Sequence, residues 1–129
     1  MVTPWSVTAV GLGAALGAWL RWGLSLWLNP LNTAIPGGTL TCNLVGGYLI
    51  GIAVGFFASN PQLSPAWRLF AVTGFLGGLT TFSTFSAESM ALLQRGNYAL
   101  VLGHSLLHLI GSVTLCVAGL ATWRLIAAP

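Results

Sequence analysis

Residues 74–89 read Gly-Phe-Leu-Gly-Gly-Leu-Thr-Thr-Phe-Ser-Thr-Phe-Ser-Ala-Glu-Ser. The stretch lies inside a hydrophobic segment long enough to cross a bilayer, yet it does not read as lipid-facing helix. Gly77 and Gly78 lower helix propensity, and hydroxyl side chains crowd the residues that follow. Glu88, the chain's only acidic residue, closes the run. A membrane tolerates irregular backbone only where protein or a water-filled cavity covers it. The third of four expected spans therefore carries an interruption near 77–80, with helix to about residue 76 and helix again beyond the break.

The composition around this stretch is that of a membrane protein. Of 129 residues, 56% are hydrophobic and 4% charged, far below the ~25% charged residues of soluble domains. A spanning helix needs ~20 apolar residues, so the length allows four spans in a single domain covering residues 1–129. The expected spans are 5–28, 39–58, 67–94 and 98–126. Four arginines, spread far apart, do not form a nucleic-acid patch. Cys42 and Cys116 fall inside spans, where buried thiols are expected rather than a disulfide. No cleavable signal pattern is expected, because Arg21 follows the first apolar run.

Arg68 and Arg124 lie on one side of this layout, Arg21 and Arg95 on the other. Two against two leaves the positive-inside rule without a bias. Tryptophans mark both interfaces, with Trp5, Trp67 and Trp123 on one side and Trp19, Trp22 and Trp27 on the other. An unbiased chain can insert both ways up, and two opposed copies can pair as inverted repeats do within one transporter. Four short helices enclose no wide pore alone, so self-association is expected.

The polar inventory of the spans suits a small anion. The first span presents a small-residue face and, near its end, Arg21, read both as an interfacial anchor and as a cation at the mouth of an anion pathway. The second carries Thr39, a candidate N-cap, and Asn43, read both as a packing amide and as a ligand donor. Thr81, Thr84 and Glu88 share one stripe of the third span, with Thr80 and Ser83 beside them and Phe82 and Phe85 on the adjoining face. Hydroxyls and amides donate hydrogen bonds, and a phenyl ring has a positive edge. No lysine or arginine lies at the membrane centre to trap an anion, and conduction needs weak, repeated sites. The backbone carbonyls freed at the break are ready ligands for a small cation such as Na⁺. The fourth span carries His104, His108 and Ser112 at i, i+4 and i+8. A metal site there lacks a third ligand on the same helix, so buried or pathway-lining histidines are the favoured reading. No nucleophile elbow is present, and an enzyme is not expected.

Gly-Ala-Trp-Leu-Arg at 17–21, Gly-Thr-Leu-Thr-Cys-Asn-Leu-Val-Gly at 38–46 and, above all, Gly-Gly-Leu-Thr-Thr-Phe-Ser-Thr-Phe-Ser at 77–86 resemble the fluoride channel family, known as Fluc or CrcB, over nearly the whole chain. The resemblance implies an all-α, multi-pass protein of the bacterial inner membrane that passively conducts fluoride out of the cytoplasm and relieves its toxicity. It implies an antiparallel, dual-topology homodimer with two pores and a central structural Na⁺, carried over to the Gly77 and Thr80 carbonyls. Phe82 and Phe85 carry over as pore phenylalanines, Asn43 as the pore amide and Arg21 as the vestibule cation. Thr39, Thr81, Ser83, Thr84 and Glu88 match the family's polar track and its surroundings, with Ser112 the fourth-span candidate. The rival reading is a small multidrug exporter, also a four-span dimer. It needs a carboxylate in its binding chamber, and here the first span has none.

Overall fold

Thr3 opens the first helix. Its hydroxyl accepts the Ser6 N–H at 3.1 Å, and Pro4 takes the first helical position, where no N–H is needed. The computed structural model describes residues 2–129, all of them in helices and the short turns between. Helix α1 (Pro4–Leu28) runs into a 3₁₀ turn at Asn29–Leu31. Helix α2 spans Gly37–Ser59. The third crossing starts as α3 (Pro65–Arg68), continues as a π-helix (Leu69–Leu76) and ends its first half in the turn α4 (Gly77–Leu79). Helices α5 (Phe82–Gln94) and α6 (Tyr98–Ala127) follow. Gly96, at φ 72°, ends α5 in a left-handed residue. Its N–H reaches Leu93 O, and that of Asn97 reaches Leu92 O, the pattern of a glycine C-cap. Among the described residues, four stretches are long and apolar enough to cross a membrane: Pro4–Leu31, Gly37–Ser59, Pro65–Gln94 and Tyr98–Ala127.

Two details differ from the sequence reading. Thr39 is no N-cap, because α2 begins two residues earlier behind Pro36. The Asn29 side chain instead accepts the Gly38 N–H at 2.7 Å, satisfying one of the first-turn donors that a helix leaves open. Thr39 is thereby left fully buried inside the helix, with its hydroxyl free for another partner. The second difference concerns residues 77–80. Gly77 keeps helical angles (φ −63°, ψ −37°). The extended residues are Thr80 (φ −85°, ψ 153°) and Thr81 (φ −153°, ψ 117°). At Thr81 the backbone groups are bound by the Asn43 side chain.

Helix α2 packs chiefly on α6, and α1 packs on the π-helix and α4. Both contacts bring backbones together. A Cβ on Gly51 would strike the Cys116 carbonyl oxygen, and one on Gly119 would strike that of Tyr48. Small residues allow this approach, and in lipid such close packing replaces the hydrophobic drive that water supplies. The fully buried apolar core is correspondingly small, centred on Cys42, Leu76 and Leu79. Large apolar side chains such as Trp5, Trp19, Leu109 and Leu125 face outward instead, as a chain surrounded by hydrocarbon requires.

Candidate functional site

Asn43 organises the centre. It sits on α2 opposite the two extended threonines, and its amide pairs with both backbone groups of Thr81. The Thr81 N–H donates to Asn43 Oδ1 at 2.7 Å, and Asn43 Nδ2 donates to the Thr81 carbonyl at 3.0 Å. A side-chain amide has the donor and acceptor spacing of a peptide group, so it can replace the helical partners that extended backbone has lost. The remaining amide N–H faces Nδ1 of His108 at 3.0 Å. Oδ1 is identified by the Thr81 N–H it accepts. His108 Nδ1 is therefore the acceptor of the third bond, and the neutral ring carries its proton on Nε2. Both N–H groups of Asn43 are thus engaged within the chain.

Thr81 then starts α5. Its hydroxyl oxygen accepts the Thr84 N–H at 3.1 Å and contacts the hydroxyls of Thr84 at 3.1 Å and Ser83 at 3.2 Å. Thr80 turns its hydroxyl back to the Leu76 carbonyl at 2.8 Å. Arg21 reaches the interruption from α1 and donates through Nε to the Gly78 carbonyl at 3.0 Å. A guanidinium on a helix's last carbonyls complements the negative end of its dipole. Arg21 thereby fastens the end of α4, where the sequence left it an interfacial anchor or a mouth residue.

An open cavity of about 390 Å³ lies beside this junction. It is lined by Asn43, Thr80, Thr81, Phe82, Phe85 and Ser112, with His108 and apolar neighbours completing the wall. Phe85 is held between partners: its ring lies 5.1 Å from that of His104, nearly parallel, and 4.7 Å from that of His108. Phe82 touches Phe85, with centroids 5.4 Å apart, but is 79% exposed and projects away from its own chain. Ser83 is exposed and Thr84 half-buried, and neither lines this cavity.

Behind Phe85 lies a second polar group. Thr39 donates its hydroxyl to Glu88 Oε1, joining α2 to α5. Glu88 Oε2 lies 3.4 Å from His104 Nε2. Thr39 and Glu88 are not among the residues lining the cavity, and His104 beside them is fully buried. Both histidines are buried, and His108 lines the cavity, as the sequence reading favoured; their partners Glu88 and Phe85 are what the sequence reading missed. The histidines' four-residue spacing, continued to Ser112, signals a shared face, but only the packing of α5 on α6 shows that Glu88 and Phe85 cover it.

The family model described as "CrcB-like protein, Camphor Resistance (CrcB)" matches residues 8–120. The chain belongs to the CrcB family. Among curated CrcB relatives, the fluoride-specific ion channel FluC of Cupriavidus pinatubonensis is 61% identical over 124 residues, covering 96% of this chain and 98% of the relative. The channel of the same name from Pseudomonas putida is 57% identical over 122 residues, covering 95% and 96%. That of Ralstonia nicotianae is 60% identical over 116 residues, covering 90% and 92%.

Proposed function

We propose that this chain is a fluoride-selective channel, a multi-pass protein of the bacterial inner membrane that lets F⁻ leave the cytoplasm down its electrochemical gradient. The observation that carries the reading is full-length similarity to CrcB relatives named as fluoride-specific channels. The site's chemistry supports it. The cavity offers hydroxyls and ring edges and no ammonium or guanidinium, a lining that can exchange a dehydrated anion without holding it. A membrane potential negative inside drives each anion outward by ~2.3 kcal/mol per 100 mV.

The working unit in this proposal is an antiparallel, dual-topology homodimer with two pores. The balanced arginines and the outward-pointing Phe82 support it, since an exposed ring on one copy can complete a pathway lined by another. The third span is then interrupted within the bilayer. The structural cation is Na⁺. Gly77 and Thr80 fit such an ion: in a continuous helix their carbonyls would accept the N–H groups of Thr81 and Thr84, which go instead to Asn43 Oδ1 and Thr81 Oγ1. Carbonyl oxygens without a donor are hard ligands of the kind alkali cations take. The Na⁺ would brace the junction by binding these two carbonyls. Thr81, Ser83, Thr84, Ser112 and Phe85 form the polar and aromatic track in this proposal, Phe82 supplies its ring edge, and Thr39 and Glu88 support it from behind. A multidrug exporter is disfavoured by the names of the relatives and by a carboxylate already bonded to Thr39.

The test is fluoride efflux from proteoliposomes, followed with a fluoride electrode. Fast efflux that requires valinomycin to balance charge, with chloride retained, is expected. No efflux with or without valinomycin, from dimeric protein, overturns the proposal.

A further inference from the structure

Glu88, His104 and His108 converge from two helices. One donor atom from each lies within 4.8 Å of the others. The sequence alone places two of the three on α6 and leaves the third ligand missing. The packing of α5 on α6 supplies it. Burial keeps bulk water from the rings: His104 is 0% exposed and His108 5%. Glu88 Oε2, both ring nitrogens of His104, and His108 Nε2 are buried without a hydrogen-bond partner. Buried polar atoms nearly always have partners, so this cluster of donors and acceptors calls for a ligand or an ordered partner to satisfy it.

We propose that these three side chains form a binding site for a divalent transition-metal cation of the Zn²⁺ or Co²⁺ type. Two imidazoles and one carboxylate are the donor set such ions take, with a fourth position left open. Glu88 Oε2 and His104 Nε2 are 3.4 Å apart. Two ligands held ~2.0–2.2 Å from one tetrahedral zinc lie about 3.4 Å apart, so this pair already has the required spacing, and a His108 ring nitrogen lies within 4.8 Å of a donor atom of both residues. The supporting bonds are in place on the carboxylate side: the Thr39 hydroxyl holds Oε1 and leaves Oε2 directed at the histidines. His108 also lines the open cavity, which gives a hydrated cation a route to the site. Na⁺ at the backbone carbonyls would be a different site with different ligands.

The hydrogen bond at Asn43 gives the site a further property. The Asn43 amide donates to His108 Nδ1, which places the ring proton on Nε2 and leaves Nε2, buried without a hydrogen-bond partner, as the nitrogen free to take an ion. Binding through Nε2 requires the neutral ring to shift its proton to Nδ1, and the protonated Nδ1 then meets an amide N–H. Metal binding and the Asn43–His108 bond therefore oppose one another. Replacing the amide with an acceptor reverses the sign, because a carboxylate behind a metal-bound imidazole strengthens it.

The test uses full-length protein, stripped with a chelator and kept free of fluoride, titrated with Co²⁺ and followed by visible absorption. One Co²⁺ per chain with tetrahedral ligand-field bands, displaced by Zn²⁺, is expected. Glu88→Gln and His104→Gln should each weaken Co²⁺ binding at least ~10-fold. Asn43→Asp should tighten it by a similar factor, a gain that damaged folding cannot mimic. Absence of the bands in the wild type, or one affinity shared by wild type and all three variants, overturns the site. Because fluoride is absent, the result stands or falls independently of the channel reading.

Discussion

Removing the Asn43 amide by Asn43→Leu keeps the side chain's size and deletes all three of its hydrogen bonds. Two of these hold the Thr81 backbone, which has no helical partner to return to while Thr80 and Thr81 remain extended. Each buried group left unsatisfied costs ~1–3 kcal/mol, so the Thr81 N–H and carbonyl together lose about 2–6 kcal/mol. The Leu side chain recovers part of this by apolar contact, leaving a destabilisation of about 3 kcal/mol, or roughly a hundredfold in the folding equilibrium. Reversible unfolding in mixed micelles measures the loss, and hydrogen exchange at the Thr81 amide locates it. Wild-type Thr81 N–H should be strongly protected, and in the variant it should exchange with the fraying end of α5. A variant within ~0.5 kcal/mol of wild type, with Thr81 still protected, would refute the reasoning. The Asn43 amide would then be a bystander, and the extended threonines would be held by something else.

Phe82→Ile should reduce fluoride efflux from proteoliposomes while leaving dimer assembly intact on size-exclusion chromatography, because the ring edge is lost and the bulk largely kept; full conduction removes the ring-edge argument. Gly51→Leu places a side chain against the Cys116 carbonyl, and since that neighbour is backbone, α2 and α6 must separate. Yield of folded protein from membranes should collapse, whereas Gly11→Leu, with open space at its Cβ, should express normally. Gly96→Ala forces a left-handed residue at φ 72° and should lower stability by ~1–2 kcal/mol in the same unfolding assay, without changing efflux.

The four crossings were legible because their signal is local. A run of about 20 apolar residues identifies a crossing whatever surrounds it, and the observed stretches extend the expected ones by no more than about three residues at any end. The polar stretch at 77–89 was legible for the same reason, since hydroxyls and a carboxylate in hydrocarbon need protein around them. Thr39 shows where local reading stops. A threonine ahead of an apolar run looks like a cap, but Asn29 comes from outside the helix to take that role. Arg21 shows the same limit: a cation at a span's end reads as an anchor, and only the packing of α1 on α4 gives it the Gly78 carbonyl.

By itself, then, the sequence determined that this chain lies in a membrane, crosses it four times, and concentrates its polar groups in the third span. Those conclusions rest on the cost of placing each residue type in hydrocarbon, which depends on composition and distance along the chain. Tertiary structure alone decided which carbonyls lose their helical partners, which threonines become extended, and that Glu88 meets His104 and His108. Those outcomes depend on contacts between residues 16 or more positions apart, such as Asn43 with Thr81 and Glu88 with His104. A hydrogen bond is decided at about 3 Å, and no periodicity read along one strand of sequence specifies which distant side chain arrives at that distance.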